Sequence, residues 1–305
     1  MLAHSENKPN WEATSKATKM TERFLWLDGL PKHCLSTKSV ILKKVKFMRV
    51  LLDKAQIKNA RSALIGKGAS SLAPSFRFLL RRFGLNRGIL LGDFIKSWDV
   101  LESLGYIEQH VQKDEPILDI GCHSSEVIVA LHKLGYSNLT GADLNPALNE
   151  MPYQSSIRYE VTNFMKTGFA DCSFKAITSI SVIEHGFDGH ALLKEMSRLL
   201  KPGGHFIASF DYWPEKIDTT NIKFYGMDWK IFSKAEVIDF VKLASDYGLR
   251  HVGEMNFDGQ ERPIRCGGKK YTFGWLVLTK ETNQSDSSQT ISHKPPELLT
   301  DDQRA

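Results

Sequence analysis

The stretch Pro116-Ile-Leu-Asp-Ile-Gly-Cys-His-Ser-Ser-Glu126 limits what this chain can fold into more than any other. Residues 117–120 form a short apolar run ending in Gly121, the pattern of a strand buried on both faces. Beyond a tight turn, Val127, Ile128, Ala130, Leu131 and Leu134 recur at helical spacing, and Gly135 supplies a stop. Residues 138–142 resume as a second strand that closes on Asp143. Such a strand–turn–helix–strand unit points the free amides of a helix N-terminus over the tip of the first strand. It also puts a carboxylate, Asp143, where a nucleotide-like ligand presents its ribose hydroxyls. A dinucleotide fingerprint asks for three glycines, and after Gly121 this turn offers Cys122, His123, Ser124 and Ser125. The turn therefore suits a ligand without a pyrophosphate. His123 is expected to take the positive φ such a turn needs, and Ser124 or Ser125 to cap the helix.

At 305 residues the chain has room for one large domain with an appendage or for two small ones. Its 42% apolar content is that of a globular protein, and a formal net charge of +5 is too mild to imply a nucleic-acid partner. Cys34, Cys122, Cys172 and Cys266 are scattered without a close pair, so neither a metal site nor a disulfide framework is expected. A reducing, cytoplasmic setting fits that usage. No apolar run reaches the ~18–20 residues of a membrane span, and the polar residues 1–19 have no apolar signal core.

Residues 1–20 are expected to be disordered. Residues 21–92 read as a basic helical extension, in which 40–52 and 76–83 alternate apolar and cationic groups. Such stretches suit either an anionic membrane surface or a packed helix with its charges in water, and the second reading is favoured because long cationic side chains flank packed faces. Residues 94–111 read as the helix leading into the first strand, and an α/β domain then spans 93–280. Within it, 176–182 is an apolar strand, 189–200 an amphipathic helix, 205–210 a strand and 235–247 a helix stopped by Gly248. The stretches 249–255 and 271–279 read as a closing antiparallel pair. The tail 281–305, rich in Ser, Gln, Thr and Asp, is expected to be disordered.

Asp119, Gly121 and the strand before them resemble the first motif of the class I S-adenosylmethionine-dependent methyltransferases, commonly Asp/Glu-x-Gly-x-Gly-x-Gly. His123 and Ser125 replace its second and third glycines. On the residues alone, Asp119 also fits a helix-capping role in some other α/β protein. The stretch from Asn163 through Phe174-Lys175 is similar to the family's segment before its fourth strand, with Lys175 in place of an acid. Ser181-Val-Ile-Glu-His185 resembles the Val-Leu-Glu-His signature closing that strand, and Lys201-Pro-Gly-Gly204 resembles the turn before the fifth. The resemblance covers about residues 95–280. It implies a doubly wound, seven-stranded Rossmann-like sheet with a reversed last strand, and S-adenosylmethionine as cofactor. It assigns that cofactor to Asp119, Gly121, Cys122, His123, Asp143, Leu144, Asn163, Phe164, Ser181 and Val182, with Asn163 at the adenine edge and Glu160 as the alternative.

His185, beside Glu184 at a strand's end, is the candidate general base for a substrate hydroxyl. The competing reading is that both residues hold the turn. Methyl transfer from a sulfonium depends on alignment and desolvation more than on a strong base. Loops above the strand ends should supply the acceptor contacts. There, Asp211, Tyr212, Trp213, Tyr225 and Trp229 interleave rings with carboxylates, as suits a sugar, or else form a lid that shields the cofactor. The loop has a looser resemblance to methyltransferases of bacterial surface-polysaccharide synthesis.

The leading expectation is O-methylation of a glycan, nucleotide sugar or related small hydroxylated acceptor. The alternatives are a lipid-linked acceptor, with the basic N-terminal helices touching a membrane, and a non-catalytic scaffold. A nicotinamide oxidoreductase fits the turn poorly. Nucleic-acid methylation lacks both an Asn/Asp-Pro-Pro-Tyr-like motif and a dense basic patch in the catalytic half. The oligomeric state is not legible.

Overall fold

The computed structural model describes residues 46–72, 89–186, 188–251 and 253–282. The disorder expected for 1–20 and for the tail beyond 282, and the cationic stretch 76–83, lie outside these residues. The central unit forms as its sequence dictates. Strand β2 (Ile117–Ile120) runs through Gly121 into helix α3 (Val127–Lys133) and returns as β3 (Leu139–Asp143). Gly135, at φ +86°, ends the helix. Strands β4 (Ile157–Val161), β5 (Phe174–Ile180) and β6 (Leu200–Tyr212) extend the sheet, and all neighbours within β4-β3-β2-β5-β6 are parallel. Strand β12 (Lys269–Lys280) then pairs antiparallel to β6 over Thr272–Thr279. Strand β9 (Leu249–His251) lies against its far end. This is the expected seven-stranded core with its last strand reversed.

Among the described residues, helices cover that core on both faces. Helix α2 (Ser97–His110) follows a 3-10 turn (Phe94–Lys96) and packs beside α3 on one face, where Trp98, Leu104, Ile107, Ile128 and Leu131 meet Ile117, Ile207 and Trp275. On the other face, α4 (Gly189–Leu199) and α5 (Lys234–Asp246) bury Leu192, Met196 and Phe240 against Ile177, Phe206 and Leu276. Ser233 and Glu236 close a reciprocal capping box at the start of α5, which fixes where the chain leaves the 211–232 loop.

Two expectations need correction. The stretch 40–52, read as part of a helical extension, contains a strand, β1 (Lys46–Val50), which pairs antiparallel to Gly274–Leu276 of β12 and parallel to β10 (Glu254–Met255). Alternating apolar and cationic residues satisfy a half-buried strand as well as a helix, and a free sheet edge selected the strand. Met48, Val50 and Leu51 are buried, so they offer nothing to a membrane. Helix α1 (Lys54–Gly66) follows, capped by Asp53, and packs on α2 although both β1 and α1 precede the domain boundary expected at residue 93. Second, Lys201-Pro-Gly-Gly204 does not precede a strand but lies within β6. The register slips between Phe174↔Leu200 and Ala176↔His205, and the extra residues form a bulge at Gly203, φ +69°. Among the described residues no helix is long and apolar enough to cross a membrane.

Candidate functional site

A cavity of about 980 Å³ opens over the carboxyl ends of β2, β3 and β5. Its volume lies at the upper end of small-molecule sites. One wall is the turn after β2. Gly121 stands at φ +69°, and a Cβ there would lie 2.3 Å from Cγ2 of Val182 at the end of β5. The glycine is thus required by the close approach of two strand ends as well as by its backbone conformation. The next positive φ falls on Ser124 (+64°) and not, as expected, on His123. The His123 amide instead donates to Asp143 Oδ2 at 3.0 Å. Ser125 Oγ accepts from the Val127 amide at 3.2 Å in the turn before α3, whose N-cap position is Glu126 and carries no side-chain cap, contrary to the capping role expected of Ser124 or Ser125.

Asp143 lines the cavity at the tip of β3. Its Oδ1 accepts from the Asn145 amide at 2.8 Å, so each oxygen is oriented by one backbone donor and keeps acceptor capacity. Leu144 and Asn163 are exposed and line the same side, with Phe164 and Met165. Asn163 Oδ1 accepts from the Met165 amide. The alternative, Glu160, pairs with Arg158 and does not line the cavity. Two of the residues assigned to the cofactor stand apart. Asp119 is buried below the turn, where Oδ1 accepts from Thr178 Oγ1 at 2.6 Å. Burial raises its carboxyl to about 7, tempered by hydrogen bonds from Thr178 and Ser125. Cys122 is wholly buried, and its Sγ fills the space a side chain at Gly141 would need. Both support the turn from beneath.

The other end of the cavity is built by Lys96, Ser181, Ile183, His185, Tyr225 and Met227. Ser181 sits at φ +55° and its hydroxyl accepts from Lys96 Nζ. That ammonium also lies 3.4 Å above the Phe273 ring, 3.9 Å from Asp99 and 4.0 Å from Asp211. Burial raises the carboxyls of Asp99, to about 6, and of Glu184 and Asp211. Ser209 donates to Asp99 and Trp229 Nε1 to Asp211, while Asp99 Oδ1 and Glu184 Oε2 are buried without a partner. Glu184, expected at the catalytic centre, therefore belongs to this buried cluster and does not touch the cavity. His185 does line it. Its pKa falls to about 4, chiefly by burial and then by the charge of Lys96, so the ring is neutral over the physiological range. His185 Nδ1 is buried without a partner.

The loop after β6 is built differently from expectation. Asp211 is buried, Tyr212 OH donates to the Phe257 carbonyl, Arg262 stacks on Trp213, and Trp229 is buried on Tyr271. None of these four lines the cavity. The exception is Tyr225, at the tip of a hairpin made by β7 (Lys223–Phe224) and β8 (Met227–Asp228). Tyr225 and Gly226 both have positive φ, as a two-residue type I′ turn requires. The Tyr225 ring is 90% exposed and stands edge-on to His185 at 5.9 Å. The hairpin base is tied to the turn after β5 by Gly186 N to Asp228 O and Lys230 N to Glu184 O, both 2.9 Å. Sequence reasoning missed Asp93, Lys96 and Glu126 as wall residues. Their one signal was polar residues flanking the apolar stripe of α2 and opening α3.

A doubly wound sheet with a cavity over its central strand tips is the architecture of a nucleoside- or nucleotide-binding α/β protein. Residues 118–208 match the family model described as a methyltransferase domain, which is consistent with a class I S-adenosylmethionine-dependent methyltransferase. It is 30% identical over 113 residues to a ubiquinone biosynthesis O-methyltransferase of Coxiella burnetii, covering 35% of this chain and 48% of that one. It is 29% identical over 146 residues to EEF1A lysine methyltransferase 2 of Homo sapiens, covering 41% and 61%. The chain thus spans about half the length of these curated relatives. A solved S-adenosylmethionine-dependent methyltransferase from Methanosarcina mazei aligns over 58% of this chain and 98% of its own, at 19% identity and a TM-score of 0.46.

Proposed function

We propose that this chain transfers a methyl group from S-adenosylmethionine to a hydroxyl of a small acceptor that carries no anionic group. The observation that carries this reading is the division of the cavity. A nucleoside-sized end is formed by Asp143, Leu144, Asn163 and the Gly121 turn, and a separate end by His185, Tyr225, Met227 and Lys96. The residues present fit the cofactor: Asp143 has free acceptor capacity for ribose hydroxyls, and the missing glycines matter little to a ligand without phosphates.

When bound, S-adenosylmethionine would supply a methyl group on a sulfonium, whose leaving group, the neutral thioether of S-adenosylhomocysteine, needs no protonation. Asp143 holds the ribose, and the Asn163 amide and Phe164 ring bind the adenine. The His185 ring accepts a hydrogen bond from the acceptor hydroxyl and orients its lone pair. A pKa near 4 makes the ring a weak base, so alignment by His185 and the Tyr225 hairpin carries more of the rate than proton removal. Ile183, buried at that end, keeps water from it.

The acceptor class follows from charge. Among the described residues lining the cavity Lys96 is the sole Lys or Arg, and Asp99, Asp211 and Ser181 already engage it. A nucleotide sugar would bring a diphosphate with no free Lys or Arg among the described lining residues to meet it. Sugar methylation, as in surface-polysaccharide synthesis, keeps one support, the exposed Tyr225 ring as a stacking face. The test has two stages. Calorimetry with S-adenosylhomocysteine should show binding, and its absence at millimolar ligand would favour a scaffold. Formation of S-adenosylhomocysteine should then appear with neutral hydroxylated compounds; turnover confined to phosphorylated or carboxylated acceptors would overturn the charge argument.

A further inference from the structure

Glu126 closes the cofactor end of the cavity at the start of α3, yet it is only 3% exposed. Its carboxylate is held by a residue 65 positions earlier. Arg61 of α1, 4% exposed, donates from both terminal nitrogens to the two oxygens of Glu126, each at 2.8 Å. The amides of Ser71 and Leu72 and the hydroxyl of Ser70 donate to the same carboxylate. Arg61 Nε donates to Ser97 Oγ at 2.9 Å, at the start of α2 and one residue beyond Lys96. Gly92 completes the seat: its amide donates to the Ser124 carbonyl at 2.9 Å, and a Cβ on it would lie 2.9 Å from Glu126 Oε2.

We infer that Arg61 is a positioning residue for the cofactor, holding the Glu126 carboxylate back from the space the cofactor occupies. A buried carboxylate that loses its charged partner, keeping only the Ser70 hydroxyl and the Ser71 and Leu72 amides, stays where it is only at a large cost. Side chains and backbone enclose Glu126 on the α1 side, so the solvent open to a freed carboxylate is the cavity that it lines. Rotation there would place the carboxylate against the turn at Ser124 and Ser125 and in competition with the cofactor. The segment 46–72, outside the residues matching the methyltransferase family, thus forms part of the cofactor site. The inference rests on the cofactor placement proposed above.

The test is binding of S-adenosylhomocysteine to the full chain, measured by calorimetry beside thermal unfolding. Arg61→Met should weaken binding at least tenfold. The double variant Arg61→Met/Glu126→Gln, which removes the carboxylate charge as well, should recover to within about threefold of wild type. Arg61→Lys, which keeps the charge but not the two-pronged contact, should fall between. If Arg61→Met melts earlier but binds as wild type does, the role is structural and the inference fails. It fails equally if the double variant is no better than the single one. If Arg61→Met does not fold, the double variant and Arg61→Lys still decide, because each is compared with wild type on the same ligand. Absence of binding by wild type would instead remove the cofactor placement on which the inference stands.

Discussion

Asp143 and His185 are the residues whose environments say most about chemistry. Asp143 presents a carboxylate already fixed by the His123 and Asn145 amides. Asp143→Ala should lower affinity for S-adenosylhomocysteine about ten- to a hundred-fold, the loss of a charge-assisted pair worth roughly 1.5–3 kcal/mol. Unchanged affinity in a folded variant would refute the assignment. For His185 the sign of the pKa shift decides the form of the experiment. A histidine near its ordinary value would make the rate fall below pH 6–7. With the pKa lowered to about 4, the neutral ring persists through that range, and the ratio of wild-type to His185→Ala turnover should stay constant from pH 8 to about 5. It should fall toward one only as the pH nears 4. Because the fold disfavours the protonated ring, its contribution to stability is full above about 6.5 and is lost as the pH falls to 4. The candidate was legible from its place after Ser181-Val-Ile-Glu. Its low pKa was not, because that depends first on burial in the folded chain and then on Lys96, far upstream in sequence.

At the scale of elements, the turn between β2 and α3 was legible because its constraint is local. A buried strand, a glycine and an apolar helix leave few alternatives. What the glycine avoids was not local: the obstacle is Val182, at the tip of a strand some sixty residues on. Gly121→Ala should therefore destabilise the protein by roughly 1–3 kcal/mol in urea unfolding, through positive φ and overpacking together. Gly121→Ala/Val182→Ala should recover part of that loss, since the shorter side chain removes the 2.3 Å contact and leaves the backbone strain. A double variant as unstable as the sum of its parts would show that the two strand ends do not press on each other. The 211–232 loop was misread for a related reason. Aromatics and carboxylates in alternation suit a sugar site, but here Asp211 and Trp229 satisfy one another in the core and only the hairpin tip is left for a ligand.

Across the whole molecule, a doubly wound sheet with a reversed last strand followed from alternating strands and helices, because right-handed crossovers leave few topologies. The edge did not follow. The strand that completes it beside β12 comes from residues 46–50, where alternation of apolar and cationic groups is equally a helix pattern. That ambiguity has an energetic consequence. The segment 46–66 buries Met48, Val50, Leu51, Ile57 and Leu64, each worth about 1.5–3 kcal/mol. Their sum approaches the entire net stability of a domain, roughly 5–15 kcal/mol. A chain beginning at Phe94 would keep every residue that matches the methyltransferase family, yet it would bare one edge of β12 and the face of α2 that α1 covers. It would also leave Glu126 without Arg61. Such a chain should unfold without a cooperative transition or precipitate, and it should not bind S-adenosylhomocysteine. A chain beginning at Lys46 should melt cooperatively and bind. Should the shorter chain melt within a few degrees of the longer one and bind equally well, the N-terminal strand and helix would be an ornament on a self-sufficient domain, and the anchoring of the cofactor turn by Arg61 would fall with them.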